Sequence, residues 1–328
     1  MMNDFFFELS GEHPTMPAAE ALACVRIFDA GAECRSGPGY AAMRFDDRFV
    51  GDVIDRVALT QKVGQHLGSF DVSDDMFDDI TIPEGTFAVR ARRYKGMMRN
   101  ADTQDLTRKL GNVLSKKNDV SLRSPDIEVR MFVSDKVHVF ICDADIDRNS
   151  FEERKVSERP FFSPISLHPR FARAAINLTG VKKGGIVMDP FCGTGGIAIE
   201  AASMGMKVIA SDFDENMVSG CVENMDHYGL KLYDSDVLDI GDIPKRFADV
   251  DAVVTDPPYG RSTHTGGEDT MSIHNRAICS IEKCLRLGGR AAVVLPYELR
   301  TDVMKKEDVF VQRVHRSLSR HYHILSKR

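Results

Sequence analysis

The chain has 328 residues, 43% of them hydrophobic, which is enough to bury two cores, and no run approaches the length of a membrane span. Its formal net charge of -6 excludes a surface that is basic throughout, though not a local basic patch for nucleic acid. Seven cysteines, odd in number and without a Cys-x-x-Cys pair, read as reduced thiols and exclude a disulfide framework or zinc site. With a start that lacks a basic leader, they predict a cytoplasmic protein without a bound metal.

In chain order, residues 5–9 (Phe-Phe-Phe-Glu-Leu) read as a first strand, and residues 16–28 place Ala19, Leu22, Ala23 and Ile27 at helical spacing. A stretch rich in acids and glycines then runs to about Asp79. Residues 86–91 read as a strand with alternating faces, and residues 88–96 form the densest basic stretch of the first half, with Arg90, Arg92, Arg93 and Lys95. A helix over 102–114 follows, with Leu106, Leu110 and Val113 on one side and an Asp at its start, where the helix dipole favours it. Strands at 127–133 and 136–141, joined by Ser134-Asp135, complete a compact α+β region.

From Asp143 the chain turns charged and loses periodicity, as a linker does, but Arg159-Pro160-Phe161-Phe162-Ser163-Pro164 is too apolar for a free tether. Pro169 starts a helix carrying Phe171, Ala174, Ala175 and Leu178, closed by Gly180. Beyond it strands at 186–188, 207–210, 252–255 and 291–295 alternate with helices at 197–203, 217–227 and 271–287, the last expected to stop at Gly288-Gly289. Such alternation predicts a parallel sheet covered on both faces, with residues 310–314 and 321–325 as an antiparallel hairpin on its edge.

Two proline-bearing turns sit where this sheet's strands end, the place where open α/β sheets hold their ligands. In Asp189-Pro190-Phe191-Cys192-Gly193-Thr194-Gly195-Gly196 the glycines lie between a strand and a helix, so the backbone can approach a ligand closely. Asp212 ends the next strand roughly 20 residues on, where an acid grips ribose hydroxyls, although it also stands in capping-box register with Glu215. A dinucleotide would satisfy that geometry, but Asp189 beside the glycines would repel a pyrophosphate. It suits a cofactor with ammonium and sulfonium groups, S-adenosyl-L-methionine. Asp236 could accept from an adenine amino group or be an ordinary turn aspartate. Cys192, with no basic partner near it, reads as a buried filler.

The second turn, Asp256-Pro257-Pro258-Tyr259-Gly260, can present a carboxylate, a carbonyl and a ring to a flat substrate. An exocyclic base nitrogen is a poor nucleophile because its lone pair is delocalised. Two acceptors on its hydrogens, the Asp256 carboxylate and the Pro257 carbonyl, would localise that pair, the prolines would hold the carbonyl still, and Tyr259 would stack on the base.

The two turns resemble the cofactor and catalytic motifs of amino-methyltransferases acting on nucleic-acid nitrogens. Residues 151–170, from Phe151-Glu152-Glu153-Arg154 through Arg159-Pro160-Phe161-Phe162 to His168-Pro169-Arg170, are similar to the segment before the catalytic domain of archaeal tRNA guanosine-10 N2-methyltransferases. The resemblance implies an α/β chain: a ferredoxin-like subdomain at 1–75, a THUMP RNA-binding domain at 76–148, a linker at 149–165, and a Rossmann-like class I methyltransferase domain at 166–328. It further implies methylation of N2 of guanine 10 in tRNA, once or twice, with Asp256, Pro257 and Tyr259 holding the guanine. Asp189, Gly193, Gly195, Asp212 and Asp236 would hold the cofactor, and Arg90, Arg92, Arg93 and Lys95 would contact RNA. A monomer is expected; a small activating partner, such as the eukaryotic relatives use, is left open. The alternatives are methylation of another tRNA guanine or of DNA adenine N6 or cytosine N4, and an inactive RNA-binding protein.

Overall fold

A computed structural model describes residues 1–163, 166–259 and 267–328. It divides the chain into two units, Met1–Asp55 with Leu59–Ile146, and Arg56–Ala58 with Asp147–Arg328.

The described elements of the first unit are β1 (Met2–Leu9), α1 (Met16–Arg26), β2 (Cys34–Gly37), β3 (Tyr40–Asp46), α2 (Val50–Ile54), β4 (Thr60–Phe70), β5 (Phe87–Arg93), α3 (Thr103–Leu114), β6 (Ile127–Val133) and β7 (Val137–Asp145). They build one sheet in the order β2-β3-β1-β4-β7-β6-β5, antiparallel except for β5 beside β6. The first six elements make a β-α-β-β-α-β arrangement. Because β4 pairs with both β1 and β7, the sheet runs unbroken across residue 75.

Phe5, Phe6 and Phe7 are all buried, with Phe5 and Phe7 against Phe45 and Phe6 against Phe140, so β1 shows no alternation. The α1 helix is where expected, but its fully buried face is Met16, Pro17, Glu20, Ala21, Cys24 and Val25, and not Ala19, Leu22, Ala23 and Ile27. Glu20 disguises that face, since its buried carboxylate accepts the Leu59 backbone N–H at 2.8 Å. The stretch up to Asp79 holds three strands that the sequence reading missed. Gly64, in that stretch, sits inside β4, where a Cβ would run into the Ile141 carbonyl oxygen of β7. In α3, Asp102 caps the Gln104 N–H at 2.8 Å, and Leu106, Leu110 and Leu114 pack on Val129, Met131 and Val133.

The second unit contains α4 (Asn149–Glu152), α5 (Pro169–Leu178), β8 (Ile186–Asp189), α6 (Gly196–Ser203), β9 (Lys207–Asp212), α7 (Glu215–His227), β10 (Asp234–Val237), α8 (Ile243–Arg246), β11 (Val250–Thr255), α9 (Thr270–Cys284), β12 (Leu285–Leu295), β13 (Lys305–His315) and β14 (Leu318–Ser326). The order β10-β9-β8-β11-β12-β14-β13 is parallel through β12 and antiparallel over the last two strands. After β8 the chain winds first towards β9 and later returns to β11 on the other side, which opens a crevice at their carboxyl ends.

The end of the last expected helix differs from expectation. Helix α9 stops at Cys284, and Leu285 already pairs with Val250, so Gly288 and Gly289 lie at an irregularity inside β12 instead of ending a helix. The expected linker at 149–165 is, over its described residues, clamped to the second unit. Phe151 is buried beneath the guanidiniums of Arg154 and Arg173, and both pair with the fully buried Glu200, at 2.7 and 2.9 Å.

Candidate active site

The first turn is held from three directions. Its Gly195 (φ +79°) starts α6 in the left-handed region, and a Cβ there would come within 2.7 Å of Cys221 Sγ. Thr194 is anchored by Arg159, whose Nη1 donates to its hydroxyl at 3.0 Å, and by Asn224, whose Nδ2 donates to its carbonyl at 2.9 Å. The same Asn224 binds the Phe161 backbone in both directions, which explains why the apolar 159–163 segment lies against the protein. At Gly193 (φ +47°) the position of a missing Cβ faces open space on the cleft.

Asp189 is 1% exposed, and its Oδ1 accepts from the Thr255 hydroxyl at 2.8 Å and the Phe191 N–H at 3.2 Å. Burial pushes its carboxyl up to about 7, and the nearby Asp212 and Asp256 charges add to the push. Asp212 is also buried; it accepts the Gly193 N–H at 3.1 Å and the Asp214 N–H at 3.2 Å. Capping of α7 falls to Asp214, which accepts the Asn216 N–H at 2.9 Å, so Asp212 is left to face the cleft.

The second turn follows β11, whose Ala252 to Thr255 are fully buried beside β8 and β12. The Tyr259 hydroxyl donates to Asp256 Oδ1, and Arg320 Nη2 from β14 lies 3.9 Å from Oδ2. Burial raises Asp256, while Arg320 and the Tyr259 hydroxyl hold it back, leaving it at about 6. Burial and the Asp256 charge push the Tyr259 phenol far above its ordinary range, so it stays a donor.

The Pro258 carbonyl is gripped by His274 Nε2 at 2.9 Å. A carbonyl only accepts, so Nε2 carries the proton and Nδ1 accepts from the Tyr297 hydroxyl at 2.7 Å. Both turns line one cleft, together with Ser166, Phe191, Phe213, Asp214 and Met217.

The RMKL-like methyltransferase family matches residues 157–321 and the THUMP domain family residues 70–142. The chain is similar to the tRNA (guanine(10)-N2)-dimethyltransferases of Methanothermobacter thermautotrophicus, 32% identical over 97% of this chain and 98% of that protein, and of Pyrococcus abyssi, 34% identical over 99% and 100%. It belongs to that family. TrmN from Thermus thermophilus shares the fold, with a TM-score of 0.56 at 20% identity over the whole of both chains.

The cofactor of the family's methyltransferase domain is S-adenosyl-L-methionine, and the cleft suits it. Its described lining carries the carboxylates Asp189, Asp212, Asp214 and Asp256 and no Lys or Arg, which favours a cation and disfavours a pyrophosphate. Among the described residues no Lys or Arg pairs with Asp189, and the open space at Gly193 lets backbone meet ligand.

Of the residues expected at the site, Asp189, Gly193, Asp212, Asp256, Pro257 and Tyr259 line the cleft, and Gly195 stands just behind it. Gly260 lies outside the described residues. Asp236 is not brought in: it sits on β10, half-exposed, with Arg246 Nε 3.5 Å from its carboxylate. Phe213 and Met217 supply an apolar cleft wall that the sequence reading missed, as it missed Arg320, Thr255 and His274.

Each of the four cations expected to contact RNA has a partner within the first unit. Arg90 pairs with Glu128 at 3.1 Å, and Arg92 with the buried Glu8. Arg93 donates to the carbonyls of Met97, Met98 and Ala101, and Lys95 to that of Gly11. Among the described residues no helix is long and apolar enough to cross a membrane, and none of the His, Cys, Asp and Glu groupings could hold a metal ion.

Proposed function

We propose that this protein is a tRNA methyltransferase that moves one or two methyl groups from S-adenosyl-L-methionine to the exocyclic N2 of guanine 10. The observation that carries this is the opening of the Asp256 turn onto the same acid-lined cleft as the Asp189 turn, in a chain matched along its length by tRNA (guanine(10)-N2)-dimethyltransferases. We take it to act as a monomer in the cytoplasm.

When bound, the cofactor supplies an electrophilic methyl group on a sulfonium centre. Asp189 would hold its positive groups and Asp212 its ribose hydroxyls, with Phe213 and Met217 against the adenine and the Gly193–Gly195 backbone beneath it. The THUMP-bearing unit would grip folded tRNA by phosphate and shape, and the target base would leave its stack to enter the cleft.

There the Asp256 carboxylate and the Pro257 carbonyl would accept the two amino hydrogens, favour a pyramidal nitrogen, and aim its lone pair. Tyr259 walls the base slot and steadies the carboxylate through its hydroxyl, while His274 keeps the Pro258 peptide from swinging. As the nitrogen gains carbon it must lose a proton, and the Asp256 carboxylate, poised at about 6, takes it from the N–H it already holds. A hydrogen remains on the nitrogen after one transfer, so the same carboxylate serves a second; the relatives' names support two.

The test is to incubate the protein with labelled methyl donor and a tRNA transcript and to identify the methylated nucleoside. N2-methylated guanosine at position 10, absent when guanine 10 is replaced, is the expected result. Label that persists in the replaced transcript would overturn the reading.

A further inference from the structure

The β13–β14 hairpin runs past the end of the strand that supports it. Strand β12 accompanies β14 only from Arg290, opposite Ser326, to Leu295, opposite His321. Beyond that level the pairs Gln312–Arg320, Arg313–Ser319 and His315–Leu318 continue as a two-stranded arm. Three residues at about 3.3 Å each carry it roughly 10 Å past the end of β12. The direction follows from the register. β12 is parallel to β11, with Val293 beside Thr255, so the arm leaves at the carboxyl edge where Asp256 begins. Arg320 at the base of the arm ties it to the site, through Asp256 at 3.9 Å and the Ser166 carbonyl at 3.4 Å.

The charge of this segment is unlike that of the chain. Residues 309–328 contain no Asp or Glu but hold Arg313, Arg316, Arg320, Lys327 and Arg328, in a protein with a net charge of -6. Arg313 and Arg316 are exposed, and among the described residues they make no ion pair and donate to no acceptor. Arg90, Arg92 and Arg93, by contrast, all have internal partners. Two exposed guanidiniums on a ribbon beside an acid-lined cleft match a polyanion that must bring one base into that cleft.

We propose that this overhanging arm holds the tRNA backbone next to the target nucleotide, with Arg313 and Arg316 on phosphates while Arg320 stays with Asp256. The inference rests on the tRNA-methylating function above and adds to it an RNA contact carried by the catalytic unit itself. Phosphate contacts of this kind set register and contribute affinity without reading sequence.

The test compares wild type with R313A/R316A and R313K/R316K, using full-length protein and a tRNA transcript across a salt series. R313A/R316A should raise the KM and Kd for tRNA about 10-fold near 0.1 M salt and reduce the slope of log Kd against log salt by about 1.5. R313K/R316K, which keeps both charges, should retain the slope. S-adenosyl-L-methionine affinity and kcat at saturating tRNA should not move in either variant, and this separates an RNA contact from a folding defect. Wild-type tRNA affinity and slope in R313A/R316A would overturn the arm's role while leaving the methyltransferase reading intact. Absence of methylation at guanine 10 by the wild type would sink that reading instead, and the salt slopes would still judge the arm.

Discussion

Asp189 ends β8 and Asp256 follows the neighbouring parallel strand β11; the first is buried and the second nearly so, and desolvation raises both carboxyls, yet their surroundings differ in one respect. Asp189 has only a hydroxyl and a backbone N–H for company, with two further acids close by, and stands at about 7. Asp256 has the Arg320 guanidinium and the Tyr259 hydroxyl, and stands lower, at about 6. A buried carboxylate without a protein cation is a vacancy for a cationic ligand. One with a guanidinium behind it remains an anion on its own account, able to accept hydrogens from a neutral base. In the proposed function the first turn would therefore bind charge and the second would handle protons.

Asp256→Ala should have the largest effect: turnover falls on the order of 100-fold or more while S-adenosyl-L-methionine affinity stays within a few-fold. Single-turnover kinetics beside calorimetric binding would separate the two, and unchanged turnover would remove Asp256 from the chemistry.

Asp189→Asn should do the reverse, weakening the methyl donor by roughly 10- to 100-fold. It should also stabilise the cofactor-free protein. The folded-state value of about 7 lies above the ordinary 3.8, so the fold loses stability as pH rises between the two, and the penalty is complete above 7. The Asn variant escapes it, and its Tm at pH 8 should exceed that of the wild type by a few degrees. A lower Tm would mean that Asp189 is already compensated.

Arg320→Gln probes the second carboxylate. Without the guanidinium Asp256 holds its proton to higher pH, so the acid limb of kcat/KM should move up by about one pH unit, with activity recovered near pH 8. The same loss at every pH would point to packing and not to charge.

The smallest effect is expected from His274→Leu, which frees the Pro258 carbonyl and should lower kcat about 3- to 10-fold without touching cofactor affinity. Equal losses in kcat and cofactor affinity would show that the two turns are not independent.

The two turns were legible because proline and glycine at strand ends leave a local mark, and the parallel sheet because its strands are short apolar runs between helices. What escaped was set by distant partners. Glu20 is an acid on a buried helix face because the Leu59 N–H needs an acceptor. Gly64 lies in a strand because the backbone of β7 passes too close for a side chain. The internal partners of Arg90, Arg92 and Arg93, namely Glu128, Glu8 and the 97–101 carbonyls, leave no local mark in the basic stretch. Arg320, which lies 3.9 Å from Asp256, comes from far along the chain, in the hairpin expected at the sheet edge.

The contrast between the two carboxylates is tested most directly by the Kd of S-adenosyl-L-methionine measured calorimetrically between pH 5 and 7.5. An uncompensated Asp189 predicts affinity that weakens about tenfold for each pH unit below about 7, with a proton released on binding in that range. The same affinity at pH 5 and pH 7.5, with no proton released, would contradict it.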